Sequence, residues 1–204
     1  MTNIHNVYKT GTTTIGIVTK EGIVLAADTQ ASMGNLIANN DTTKIYKIND
    51  SIAITIAGSQ GDALVLVRHL QNHANLYELE HKKNLSTKAC VTVLSNILNS
   101  NKMVPFFTQF IVAGSDGDLF SMDMAGGLNK EEQFAFSGSG SELALSVLDS
   151  DYKKTLNIKE AITIAKKAIT AAKKRDIYTG GNGIKLVIIK KNGSVEELPI
   201  EKYN

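Results

Sequence analysis

The chain has 204 residues, 43% of them hydrophobic and 21% charged, which suits one domain with a sizeable core. Its 22 basic and 20 acidic side chains leave a net charge of +2, without the clustered excess of Lys and Arg that a nucleic-acid footprint needs. No apolar run reaches the ~18 residues of a membrane span, and the opening segment MTNIHNVYKTG lacks the apolar centre of a secretory signal.

Those first eleven residues are too short for a domain and read as a tail, a cap or a piece that is removed. From Thr13 the pattern TTIGIVT, a turn at KEG and the run IVLAAD predict a hairpin. KIYKIND and SIAITIAG predict a second hairpin around Asn49-Asp50. GDALVLVRHLQNHANLYELE follows, with Leu64, Val67, Leu70, Ala74 and Tyr77 at helical spacing. Ser86 is the expected N-cap of the next helix, TKACVTVLSNILNS. That helix carries Cys90, the single cysteine, which can form no internal disulfide and reads as a buried structural thiol in a reducing compartment. FFTQFIVAG, DLFSMDMAGG and QFAFSG predict three more strands. GSELALSVLDSDY and IKEAITIAKKAITAAKKRD predict two helices, the second capped by Asn157, and a hairpin through Asn192-Gly193 closes the chain. Strands grouped apart from helices predict an α+β fold with antiparallel sheets and helices outside. IGIV, IVLAA and IAITIA are apolar on both faces, as in the inner layers of a four-layer sandwich.

His69 and His73 have the i, i+4 spacing of a metal pair, but no HExxH carboxylate or second cluster supports them, and no metal is expected. SGSGS and TGGNG lack the Lys-Ser/Thr of a phosphate loop and read as tight turns between strand and helix. The threonines after Gly11 carry more. A threonine run at a strand start is usually structural, yet Asp28 ends the next strand, Lys44 begins the one after it, and Gly58 ends the following one. Where those ends converge, a hydroxyl, an ammonium, a carboxylate and a backbone N–H meet, which are the parts of an acyl-transfer site. No histidine is placed to serve as base. A chain cut after Gly11 gives Thr12 a free α-amine, with an ordinary pKa of ~7.7–8.0, suited to take the hydroxyl proton. Lys44 favours the deprotonated forms, Asp28 holds Lys44 charged and oriented, and the Gly58 N–H binds the oxyanion.

The motifs GTTTIGIV, VLAADTQASMGN, KIYKIND, ITIAGSQGDA, LVRHL, LSNILNSNKMVPF, FSGSGSELALSVLD and RDIYTGGNGI, in that order, resemble the β-subunits of the 20S proteasome, most closely the archaeal type. The resemblance implies an αββα sandwich of the N-terminal-nucleophile hydrolase type. It implies a threonine endopeptidase that hydrolyses unfolded proteins without ATP or cofactor, with residues 1–11 a propeptide and 12–204 the peptidase domain. Thr12 is then the nucleophile, freed by its own attack on the Gly11 carbonyl. Asp28 and Lys44 are its charge partners, Gly58 the oxyanion donor, and Ser139, Asp176 and Thr179 support the terminal amine. Thr179 stands where the family usually has serine. By motif position Ala31, Thr42, Tyr46, Ile56 and Gln60 line the substrate pocket, and Ala31 and Ile56 point to cleavage after hydrophobic residues. The family implies seven-membered β-rings between α-subunit rings, a regulatory ATPase on the α-ring, a cytoplasmic location, and no membrane or nucleic-acid partner. Two other readings remain: a ring subunit without activity, and another N-terminal-nucleophile hydrolase such as the bacterial two-ring protease or a small-molecule amidase.

Overall fold

The computed structural model describes residues 11–203; the proposed leader, apart from Gly11, lies outside them. Six strands come first: β1 (Thr14–Val18), β2 (Gly22–Asp28), β3 (Ala31–Met33), β4 (Leu36–Asn39), β5 (Ile45–Lys47) and β6 (Ile52–Gly58). Two helices follow, α1 (Gln60–His81) and α2 (Thr87–Ser100), then β7 (Thr108–Gly114), β8 (Leu119–Met122), β9 (Leu128–Glu131) and β10 (Phe134–Ser137). The chain continues through α3 (Ser141–Asp151), α4 (Ile158–Lys173), β11 (Ile184–Lys190) and β12 (Val195–Glu197).

Two antiparallel five-stranded sheets result, β10-β1-β2-β11-β12 and β5-β6-β7-β8-β9. Ile23, Leu25, Ala53, Ile111 and Val187 fill the space between them. On the outside, Ile15, Val24 and Leu186 pack with Ala144, Leu148, Ala165 and Ile169 of α3 and α4. Ile54, Phe110 and Val112 pack with Leu66, Leu70, Val91 and Leu94 of α1 and α2. The layers are helix, sheet, sheet, helix, the αββα sandwich expected. β2 is buried at all seven positions because both its faces meet a layer.

The predicted caps hold. Ser86 Oγ accepts from Ala89 N, and Asn157 forms a reciprocal capping box with Glu160. Two features differ from the periodicity reading. The buried stripe of α1 is Ala63, Leu66, Val67, Leu70 and Ala74, not one led by Leu64. ALVLV is apolar throughout, so the pattern alone does not choose a face and the sheet beneath does. The β3–β4 hairpin and β9 had no signal: Met33, Leu36 and Ile37 project to the surface, and LNKE is a polar edge strand.

Cys90 is buried in the α2 core, and burial pushes its thiol up to about 12. The native chain is therefore expected to resist a water-soluble disulfide reagent at pH 8 and to react only on denaturation, read as thiol release by absorbance.

Candidate active site

Antiparallel pairing explains why distant residues meet. β1 runs between β10 and β2, so both neighbours end where β1 begins. Asp28 and the Ser137–Ser139 turn thereby reach Thr12 and Thr13. β11 pairs antiparallel with β2, bringing the 176–183 turn to the same end. In the second sheet Lys44 precedes β5 and Gly58 ends β6, again at one end of an antiparallel pair. Thr55 Oγ1 donates to Thr14 Oγ1 at 3.0 Å and ties the two sheets beneath the site.

Asp28, fully buried, organises the centre. Its Oδ1 accepts from Thr12 Oγ1 at 2.6 Å, Lys44 Nζ at 2.8 Å and Thr13 N at 3.0 Å. Its Oδ2 accepts from Gly180 N at 2.9 Å and Gln30 N at 3.2 Å. Lys44 Nζ also donates to Thr12 Oγ1. The Thr12 hydroxyl thus lies between a carboxylate and an ammonium, both taken out of water. Burial pulls the Lys44 ammonium below its ordinary 10.5, and the Asp28 charge opposes that shift.

A second group surrounds the Thr12 nitrogen. With Gly11 still attached this nitrogen is an amide, and its N–H donates to Ser139 Oγ at 3.1 Å. Ser139 Oγ and Thr179 Oγ1 each donate to Asp176 Oδ2 at 2.6 Å. Thr13 Oγ1 meets Thr179 Oγ1 at 2.6 Å, and Thr14 Oγ1 meets Ser137 Oγ at 2.7 Å. All three threonines of the run therefore have side-chain partners, but only Thr12 faces Lys44.

A cavity of about 170 Å³ opens beside Gly11, Thr12, Lys44 and Gly58. Of the residues predicted to line it, Ala31, Thr42, Ile56 and Gln60 do so, joined by Gln30, Ser32 and Ala38. Tyr46 does not line it; its hydroxyl donates to Thr43 O at 2.8 Å. Gly58 has φ +117°, and a Cβ there would fall 2.2 Å from Phe107 O, so only glycine fits.

Sequence reasoning missed Gln30 and Gly180. Gln30 donates through Nε2 to Ile177 O at 2.9 Å and to Ser32 Oγ at 3.0 Å, clasping the 176–183 turn against β3. Its signal was its place in DTQ, two residues after the acid. Gly180 offered no signal besides the glycine pair. His69 and His73 are exposed on α1.

A family model described as proteasome subunit matches residues 8–189. The chain is 48% identical over 187 residues to "Proteasome subunit beta" of Methanocaldococcus vulcanius, covering 90% of this chain and 83% of that one. It is 49% identical over 190 residues to the Methanococcus aeolicus protein of the same name, covering 91% and 87%. With the Methanocaldococcus fervens protein of that name it shares 48% identity over 198 residues, covering 94% and 88%.

Proposed function

The chain belongs to the proteasome subunit family as a β-type, peptide-hydrolysing subunit of the core particle, and from that premise we propose that Thr12 is its nucleophile. One observation carries the reading: Thr12 Oγ1 lies between Asp28 Oδ1 and Lys44 Nζ, next to the Gly11–Thr12 peptide bond.

In the precursor, Thr12 Oγ1 attacks the Gly11 carbonyl carbon. The C–N bond breaks, the nitrogen takes the hydroxyl proton, and an ester joins Gly11 to Thr12. Water hydrolyses that ester, releasing residues 1–11 and leaving 12–204 as the peptidase domain. The freed α-amine then serves as base for a substrate peptide. It takes the Thr12 hydroxyl proton as Oγ1 attacks the substrate carbonyl, and returns it to the leaving amine. The Gly58 N–H stabilises the oxyanion, an element worth ~10²–10³ in rate per donor. Lys44 lowers the proton affinity of amine and hydroxyl by its charge, and Asp28 holds Lys44 in place. Ser139, Asp176 and Thr179 orient the amine. Water cleaves the acyl ester and resets the site. No cofactor takes part.

The core-particle membership brings assembly with other subunits. We propose seven-membered β-rings between α-subunit rings, a regulatory ATPase on the α-ring, unfolded polypeptides as substrates, and the cytoplasm as the location. Against an inactive ring subunit stands the complete set of Thr12, Asp28 and Lys44. The test is intact mass after co-expression with the α-subunit. A loss equal to residues 1–11 supports the reading; an uncut chain in assembled particles overturns it.

Gly11 adds a steric requirement. A Cβ there would fall 2.1 Å from Tyr178 Cβ and 2.5 Å from Ser139 Oγ. Gly11→Val is expected to displace the scissile bond and slow precursor cleavage by about 10²-fold, followed by mass against time. The cavity beside Thr12, with Ala31, Ala38 and Ile56 among its walls, suits a hydrophobic residue before the cleaved bond. Fluorogenic peptides ending in Leu or Phe are expected to turn over faster than those ending in Glu or Arg; the reverse order would refute the apolar pocket.

A further inference from the structure

After β12 the chain stays on the edge of β11. Leu198 N donates to Leu186 O at 3.0 Å. Ile184 and Glu201 then exchange backbone hydrogen bonds of 2.8 and 3.0 Å. On its other side Ile184 pairs with Asp28 in β2. The C-terminal segment therefore lies two strands from the buried carboxylate. It runs so close to the 176–183 turn that a Cβ on Gly183 would fall 2.3 Å from Glu201 O. Lys166 Nζ pairs with Glu201 Oε2 at 3.1 Å.

Tyr203 completes the approach. Its hydroxyl donates to Gly180 O at 2.8 Å, an oxygen that also accepts from Thr29 N at 3.2 Å. Gly180 N is one of the two donors to Asp28 Oδ2. The tyrosine ring packs against the α3–α4 core and lies under Lys173 Nζ, 3.6 Å from the ring centroid. Burial and then the Asp28 charge push the phenol's pKa up, so the hydroxyl stays a donor.

We propose that Tyr203 is a positioning residue for the reaction, holding the Gly180 turn so that its N–H keeps the Asp28 carboxylate aimed at Thr12 and Lys44. The proposal rests on the reading of Thr12 as nucleophile. Without the hydroxyl, Gly180 loses a tether and Asp28 Oδ2 a well-placed donor. Gln30 N then remains as the longer donor to Oδ2, the carboxylate is held less firmly, and Oδ1 shifts under Thr12 and Lys44. Neither Tyr203 nor Gly180 lines the cavity beside Thr12, so losing the hydroxyl removes no group from its walls.

Tyr203→Phe keeps the ring under Lys173 and removes only the hydroxyl. In assembled particles, with sites counted by a covalent peptide electrophile, kcat is expected to fall about 5- to 20-fold with KM within about twofold. Lys173→Leu keeps the hydroxyl but frees the ring, and a smaller fall in kcat is expected. A Tyr203→Phe particle with wild-type kcat, or with a raised KM alone, overturns the proposal even if its melting temperature drops. If Tyr203→Phe does not assemble, Lys173→Leu decides by the same criterion. Thr12→Ala runs alongside. If it is inactive while Tyr203→Phe matches wild type, the positioning proposal falls alone. If it is active, the reading of Thr12 falls and takes the positioning role with it.

Discussion

Thr12→Ala is expected to leave assembled particles without measurable peptidase activity, a loss on the order of 10⁶-fold, as for removal of a nucleophile elsewhere, and with residues 1–11 still attached. Both effects follow from one atom, since in the proposed reaction Oγ1 attacks the Gly11 carbonyl first and the substrate carbonyl later. Thr12→Ser is the informative partner. It keeps the hydroxyl between Asp28 and Lys44. It loses a methyl that lies close to Gly138, where a Cβ would fall 2.9 Å from Thr12 Cγ2. A β-branched side chain with a packed methyl has one preferred χ1. Serine regains that freedom, so turnover is expected to fall by about tenfold or less. Turnover of a fluorogenic peptide and intact mass read both variants. A processed, active Thr12→Ala chain would move the nucleophile elsewhere.

Changes at the buried pair are expected to be smaller for activity and to differ between its members in stability. Asp28→Ala leaves the Lys44 ammonium, 5% exposed, without its counter-charge, a loss of about 3–5 kcal/mol. Lys44→Ala is milder for stability, because Asp28 retains donors from Thr12, Thr13, Gln30 and Gly180. For activity both are expected to cost about 10²–10⁴-fold, since each removes the arrangement that assists proton transfer. Urea titration beside peptide turnover separates the two readouts. Equal stability loss in both variants would contradict the bond inventory of Asp28.

The pH dependence follows from the same pair. The folded state lowers the Lys44 pKa, so between the lowered value and the ordinary 10.5 the unfolded chain binds more protons. Lys44 therefore opposes folding at neutral pH, and that cost is relieved as pH rises through this window. Under the proposed mechanism activity runs the other way, because a neutral Lys44 no longer favours the deprotonated amine and hydroxyl. The alkaline limb of kcat/KM is expected below 10.5 and is expected to be lost in Lys44→Ala, as read from pH–rate profiles.

Much of the architecture was legible because its signals are local. Alternation and turn residues marked the hairpins at KEG, Asn49-Asp50 and Asn192-Gly193, and side-chain caps marked α2 and α4. Strands apolar on both faces announced two internal layers. The β3–β4 hairpin stayed silent because its apolar residues face outward, where no core selects an alternating pattern. Tyr46 shared a motif with Lys44 but not its direction, since its hydroxyl goes to Thr43 O.

What the sequence determined by itself is the set of candidate reactive groups and the strand ends that carry them: Thr12 after Gly11, Asp28 closing β2, Lys44 opening the β5 hairpin, Gly58 closing β6. Those depend on residue type and short-range pattern. Only the tertiary structure decided which groups touch. The Thr12 amide meets Ser139, 127 residues away, and Gly180 reaches Asp28 across 152. Antiparallel register makes those contacts, and register depends on which faces are buried against which layer. The same holds for the buried face of α1, the walls of the cavity and the hold of Tyr203 on Gly180. Each is a choice among locally equivalent options, settled by packing between elements far apart in the chain.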